Sequence, residues 1–237
     1  MSKIRFTEPN REILARRDSI INDLTRLVDP AGLITSTDEC RAYETDALTA
    51  YRKMPLAVVL PKTTEEVSAV LKYCHDTGVK VVPRGAGTSL AGGAIPSEDA
   101  VVLGLSKMNR VLAVNYDDRF IRVEAGVTNL SVTAVVAENG FFYAPDPSSQ
   151  LACTIGGNIA NNSGGAHCLK YGVTTNNLLG VRMVLIDGSI IDLGGAASGA
   201  VASHTMVRAA YPGGVKSSES RLPSPIATAS CSVSTVP

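Results

Sequence analysis

The residues with the most chemical potential form two glycine-rich segments. The first is Arg84-Gly85-Ala86-Gly87-Thr88-Ser89-Leu90-Ala91-Gly92-Gly93. Glycines let a backbone turn with positive φ and let main-chain N–H groups approach a ligand closely. Successive N–H groups aimed at one point form a nest for phosphate oxygens. Thr88 and Ser89 add hydroxyl donors. Three rival readings fail on single positions. A Rossmann fingerprint needs glycine at position 90, where Leu90 stands, and a helix opening there. A P-loop needs Gly-Lys-Ser/Thr. A nucleophile elbow around Ser89 needs glycine at position 91, which is Ala91. The surviving reading is a loop that holds a diphosphate by itself, without a helix dipole.

The second segment is Pro145-Asp146-Pro147-Ser148-Ser149 followed by Thr154-Ile155-Gly156-Gly157-Asn158-Ile159-Ala160-Asn161-Asn162-Ser163-Gly164-Gly165. Such a run makes a poor helix and a poor strand. A large planar polar ligand, which demands close backbone approach and many donors, would account for it. His167 follows at once and has a side chain suited to acid–base work, although a hydrogen-bonded structural role is the simpler reading. The same holds for Lys170, read as a solvated lysine that could place positive charge near such a ligand. His75 reads as a cation at a helix C-terminus.

The elements that must position these segments are legible in outline. Apolar residues at helical spacing predict a helix over 9–28, ended by Asp29-Pro30. Residues 31–54 read as a polar connector. A strand over 56–60 precedes a capping box, Thr63-Thr64-Glu65-Glu66. The helix it opens carries Val67, Val70, Leu71 and Cys74 on one stripe and stops at Gly78. Strands follow over 79–83 and 101–105. A second subdomain is expected from about Lys107, with strands over 110–115 and 120–123 and a helix from Thr128 to Asn139. A long irregular segment spans 143–172. Strands over 181–186 and 190–193 close around Asp187-Gly188.

Composition sets bounds. Of 237 residues, 45% are hydrophobic and 19% charged, enough for a buried core. Lys plus Arg equals Asp plus Glu at 22 each, which favours neither nucleic acid nor an anionic membrane as partner. No apolar run reaches the roughly 20 residues of a membrane helix, and residues 1–17 show no signal-peptide pattern. Five widely spaced cysteines without C-x-x-C predict free thiols, with no disulfide framework, zinc site or iron–sulfur cluster in this chain.

Taken together, the two segments resemble the FAD-binding domain of the vanillyl-alcohol oxidase/p-cresol methylhydroxylase (PCMH) type. More narrowly they resemble the FAD subunits of bacterial glycolate oxidases. The matching residues are Tyr43-Glu44, Ala50-Tyr51-Arg52, Pro55–Pro61, Pro83–Gly93, Ala144–Ser149, Thr154–Gly165 and His167 with Lys170-Tyr171-Gly172; the likeness covers roughly residues 10–195. D-lactate and D-2-hydroxyglutarate dehydrogenases stay open as alternatives, with UDP-sugar reductases further off.

The resemblance implies an α+β fold: a PCMH-type domain of two α/β subdomains, 55–106 and 107–195, the second incomplete. It implies non-covalently bound FAD, since no histidine occupies the first loop. Arg84, Gly85, Ala86, Gly87, Thr88, Ser89 and Leu90 would cradle the diphosphate. Gly126 and Val127 would touch the cofactor nearby. Pro145, Ser148, Thr154, Gly156, Gly157, Asn158, Asn161, Ser163, Gly164 and His167 would line the rest. A small 2-hydroxyacid, glycolate or D-lactate, would lose hydrogen at its α-carbon. Electrons would leave through iron–sulfur and second flavin-type partner subunits, in the cytoplasm or peripherally at the inner membrane. No catalytic base is assigned.

The likeness stops after Leu193-Gly194-Gly195. Relatives are expected to complete the FAD domain and then add a substrate-capping domain. Here residues 196–237 include nine serines and eight alanines without helical or strand periodicity. They are expected to be poorly ordered, as a truncated or out-of-frame tail, with weak FAD binding and aggregation as the cost. A non-catalytic remnant is the alternative function.

Overall fold

The computed structural model describes residues 8–194 and the strand Thr205–Arg208. In chain order the elements are helices α1 (Arg11–Ala15) and α2 (Arg17–Leu24), strand β1 (Leu33–Ile34), α3 (Thr37–Cys40), β2 (Ala57–Val59), α4 (Thr64–Thr77), β3 (Lys80–Arg84), β4 (Ala100–Gly104), β5 (Val111–Asn115) and β6 (Phe120–Val123). Then come α5 (Asn129–Val136), α6 (Ile155–Ala160), α7 (Cys168–Tyr171), β7 (Leu178–Val184), β8 (Ile190–Gly194) and β9 (Thr205–Arg208). They build two sheets, ordered β1-β2-β4-β3 and β5-β6-β9-β7-β8.

In the first sheet β2, β4 and β3 run parallel and β1 pairs antiparallel with β2. Central parallel strands are covered on both faces, so they read as continuous apolar runs; Ala57–Val59 and Ala100–Gly104 are buried throughout. Val67, Val70 and Cys74 of α4 pack one face together with Ile13, Ile20 and Leu24. Cys40, Val58, Leu60 and Val102 fill the other.

The start of α4 refines the capping-box reading. Thr63 Oγ1 accepts the Glu66 N–H at 3.2 Å, but Glu66 reaches back to the N–H of Lys62, not to that of Thr63. Gly78 ends the helix at φ 72°. The helix expected over 9–28 is two, split at Arg16 (φ −94°, ψ 9°), where the chain tightens into an Arg16 N–H to Ile13 carbonyl bond. The connector 31–54 holds structure of its own: β1, α3 and a 3-10 turn at Arg41–Tyr43. A two-residue strand carries no periodicity, and only the open edge of β2 calls it into the sheet.

The second sheet is antiparallel throughout. Val132 and Val136 of α5 cover Ile121 and Val123, with Tyr143 and Ile155 completing that core. β9 lies between β6 and β7, with Ile121 and Leu178 both in register with Val207. Thr205–Arg208 thus form a strand within a stretch that shows no period in the sequence: four residues are too few to show one, yet they satisfy ladder groups on two strands. The rest of 196–237, including the proposed out-of-frame character, lies outside the described residues. The β7–β8 turn docks the second subdomain on the first. Ser68 Oγ of α4 donates to the Gly188 carbonyl at 2.5 Å, and Gly188 has φ 85°.

Candidate cofactor-binding site

The first glycine segment leaves β3 and meets the start of α6. Thr154 caps α6 by accepting the Gly157 N–H at 3.3 Å. Gly85 lies so near that a Cβ there would sit 2.7 Å from Thr154 Oγ1. The stretch over 125–129 runs alongside: Ile155 N–H donates to the Val127 carbonyl and Gly156 N–H to that of Ala125. Between the subdomains these pieces enclose a cavity of about 350 Å³. Gly85, Ala86, Gly126, Val127 and Thr154 line it, as the sequence reading grouped them. So do Ser106, Asn109, Val111, Thr128, Ser131 and Ala152, which that reading missed. No glycine pattern marks Ser106 or Asn109; they lie on the link between β4 and β5, which joins the two sheets and lines the cavity. They also face a neighbouring cavity of about 460 Å³ with Lys62, Thr63, Lys107 and Arg110.

Other expected residues lie off this cavity, and several have a different physical reason to be there. Arg84 turns back from the loop. Its Nη1 donates to the Thr45 carbonyl at 2.7 Å and its guanidinium stands over the Tyr43 ring, 5.5 Å from the centroid. Burial pulls that guanidinium below its ordinary pKa, against the opposing charge of Asp46. Gly87 takes φ 71° beside it. Thr88 and Ser89 continue the loop, with Ser89 Oγ accepting the Ala91 N–H, and Leu90 is exposed.

Much of the second segment is glycine-rich because protein packs on it. A Cβ on Gly156 would meet Ala125 at 2.8 Å, and one on Gly165 or Gly164 would collide with Asp146 or with Cys168 and Val173. The segment is also less irregular than its composition suggested. Thr154 caps a six-residue helix whose Ile155 and Ile159 join the second core. The first loop is therefore not alone, because this helix begins beside it. Asn161 Nδ2 donates to the Gly157 carbonyl, and the Ser163 carbonyl accepts Thr174 Oγ1 at 2.6 Å. Pro145 is held by Asn129 Nδ2 on its carbonyl, 2.9 Å, while Ser148 is exposed.

His167 pairs with Asp146. Its Nδ1 lies 2.5 Å from Oδ2, and its N–H donates to Oδ1 at 3.2 Å. Burial pushes the Asp146 carboxyl up, but the hydrogen bonds from His167 outweigh it and hold the group below the usual carboxylate range. The tautomer that donates from Nδ1 leaves Nε2 outward on a side chain 65% exposed.

Two features test whether an extended, doubly charged cofactor fits here. The N–H groups of Gly85, Ala86, Gly87 and Thr88 donate to no protein acceptor among the described residues, which suits a diphosphate. Asn158 is buried with its Nδ2 unpartnered, a donor that costs free energy unless something accepts from it. No group of histidine, cysteine and carboxylate side chains suited to a metal is found among the described residues.

The sequence pattern of the family described as FAD binding domain matches residues 55–194. The chain belongs to the FAD binding domain family. FAD is the cofactor of that family, and the cleft fits it. Within the FAD binding domain family, the chain is 47% identical over 178 residues to glycolate oxidase subunit GlcD of Escherichia coli (strain K12), covering 75% of this chain and 36% of that protein. It is 39% identical over 178 residues to D-lactate dehydrogenase of Archaeoglobus fulgidus, covering 75% and 39%. The chain thus spans little more than a third of the length of these curated relatives. A solved structure of p-cresol methylhydroxylase with substrate bound superposes with a TM-score of 0.70 at 20% identity, covering 82% of this chain and 38% of that one. At that identity the likeness shows a shared PCMH-type α+β fold.

Proposed function

We propose that this chain carries the FAD-binding part of an oxidoreductase acting on a small 2-hydroxyacid, glycolate or D-lactate. The carrying observation is the meeting of the two glycine segments at Gly85 and Thr154, with unpaired loop N–H groups beside them. The names of the relatives, glycolate oxidase and D-lactate dehydrogenase, supply the substrate class. When bound, FAD would supply two-electron oxidation at the α-carbon. The chain's own residues bind and orient. The Gly85–Thr88 amides would take the diphosphate; Gly126, Val127, Thr128, Ser131 and Asn109 would wall the cleft. His167 and Asp146 would hold the segment 145–149 against 163–168. Binding is non-covalent in this reading, because Arg84–Leu90 contains no histidine or cysteine.

Electrons would pass from the flavin to a partner or acceptor. The relative's description as a subunit supports a complex, with iron–sulfur and second flavin-type subunits as the proposed partners. No helix among the described residues is long and apolar enough to cross a membrane; a cytoplasmic or peripherally bound complex fits that. The test is direct. The purified 237-residue chain is mixed with FAD, and flavin absorbance and glycolate- or D-lactate-dependent dye reduction are measured. Flavin binding with turnover supports the enzyme. Flavin binding without turnover leaves the alternative, a flavin-binding remnant. A colourless, inactive chain favours the remnant and defeats the enzyme.

A further inference from the structure

Arg84 is the one strong cation of the first loop, and its geometry sets it apart from its neighbours. The Nη1 bond to the Thr45 carbonyl and the position over Tyr43 aim it at the connector. The same guanidinium fills the space beside Gly87, where a Cβ would lie 2.3 Å from Nη2. The connector returns the contact, since Ala47 N–H donates to the Gly87 carbonyl at 2.9 Å. The connector is itself cross-braced. Thr45 Oγ1 donates to the Tyr51 carbonyl at 2.9 Å, and Lys53 N–H donates to that of Glu44 at 2.8 Å. Asp46, buried, keeps negative charge near the guanidinium while its Oδ1 accepts the Leu48 N–H.

We infer that Arg84 and Tyr43 form a positioning pair: the Tyr43–Ala47 connector grips Arg84, and through it sets the Gly85–Thr88 turn that the diphosphate requires. The inference rests on the proposed FAD site and assigns Arg84 no direct contact with phosphate. A guanidinium over an aromatic ring is a planar fit that lysine does not reproduce.

The experiment measures FAD dissociation constants for Tyr43→Phe, Tyr43→Leu, Arg84→Gln and the double variant Tyr43→Leu/Arg84→Gln of the 237-residue chain. Tyr43→Leu and Arg84→Gln are each expected to weaken FAD about tenfold, and the double variant about tenfold as well, because residues that act as one unit are not additive. Tyr43→Phe, which keeps the ring, stays within about twofold of the parent. A phosphate-binding Arg84 predicts otherwise: Tyr43→Leu near neutral, or losses that multiply in the double variant, and either result overturns the inference. Hydrogen exchange at the Ala47 amide, read by NMR on the flavin-free chain, separates this from the proposed function. Faster exchange in both Tyr43→Leu and Arg84→Gln supports the grip even if no flavin binds. Unchanged exchange in both overturns it.

Discussion

Gly85 and Thr154 come from different subdomains, and a methyl group added to Gly85 would sit 2.7 Å from the Thr154 hydroxyl oxygen. That closeness makes one site of two glycine segments. Thr154 also caps α6, so crowding at Gly85 is felt at the start of that helix.

Gly85→Ala is therefore expected to cost about 1–3 kcal/mol, the usual range for forcing extra atoms into a packed site. FAD affinity should fall with it. Thermal unfolding with and without FAD reports both effects. A variant as stable as the parent and binding FAD equally well would show that the two segments do not depend on this approach.

The subdomain contact at the β7–β8 turn gives a second expectation. Gly188 has φ 85°, and a Cβ there would lie 2.7 Å from Lys72 Cβ and 2.8 Å from the Ser68 carbonyl oxygen. Gly188→Ala adds backbone strain to a clash with the α4 backbone, and about 2 kcal/mol or more should be lost. Ser68→Ala removes only the hydrogen bond and should cost about 1 kcal/mol. Denaturant unfolding of the two variants ranks them.

Asp99 contributes to stability in acid. Burial opposes its charge, but the Ser97 hydroxyl (2.6 Å), the Asn10 N–H (2.9 Å) and Lys80 (2.9 Å) outweigh burial and hold its pKa at about 2, below the ordinary 3.8. A folded pKa below the unfolded one means stability fully present above pH 3.8 and lost as pH falls toward 2. The loss amounts to about 2 kcal/mol. Unfolding free energies at pH 6 and pH 2.5 should differ less in Asp99→Asn than in the parent; an equal difference in both would assign the acid sensitivity elsewhere.

Thiol reactivity should follow burial. Cys74 is fully buried in α4, and burial pushes its pKa up to about 12. Cys40 and Cys153 are buried too, whereas Cys168 is half-buried. Alkylation at pH 8 followed by mass spectrometry should modify Cys168 first among these four and leave Cys74 intact until the chain unfolds. Early labelling of Cys74 would mean that α4 opens locally.

The strong local signals proved readable because they are local. Thr63, the Val67–Cys74 stripe and Gly78 each state their role within a turn or two of helix, and α4 follows them. The Asp187-Gly188 turn is of the same kind. Signals that depend on a distant partner were not readable. Ser106 and Asn109 carry no mark of the cavity they line. Leu33–Ile34 and Thr205–Arg208 are strands because neighbouring strands need partners. Gly156 and Gly164 looked like ligand-facing residues, yet Ala125, Cys168 and Val173 supply much of the reason for them.

The amino-acid order alone thus determined the composition of the two glycine-rich segments, the strand–helix–strand unit before them, and the family, since a glycine's conformational freedom and a helix's apolar stripe are properties of short stretches of chain. Only the tertiary structure decided which loop amides stay unpaired, that Arg84 faces Tyr43 and Thr45, and that Gly85 meets Thr154. Those are relations between residues far apart in sequence. They depend on how two sheets dock, and no spacing along one chain records that.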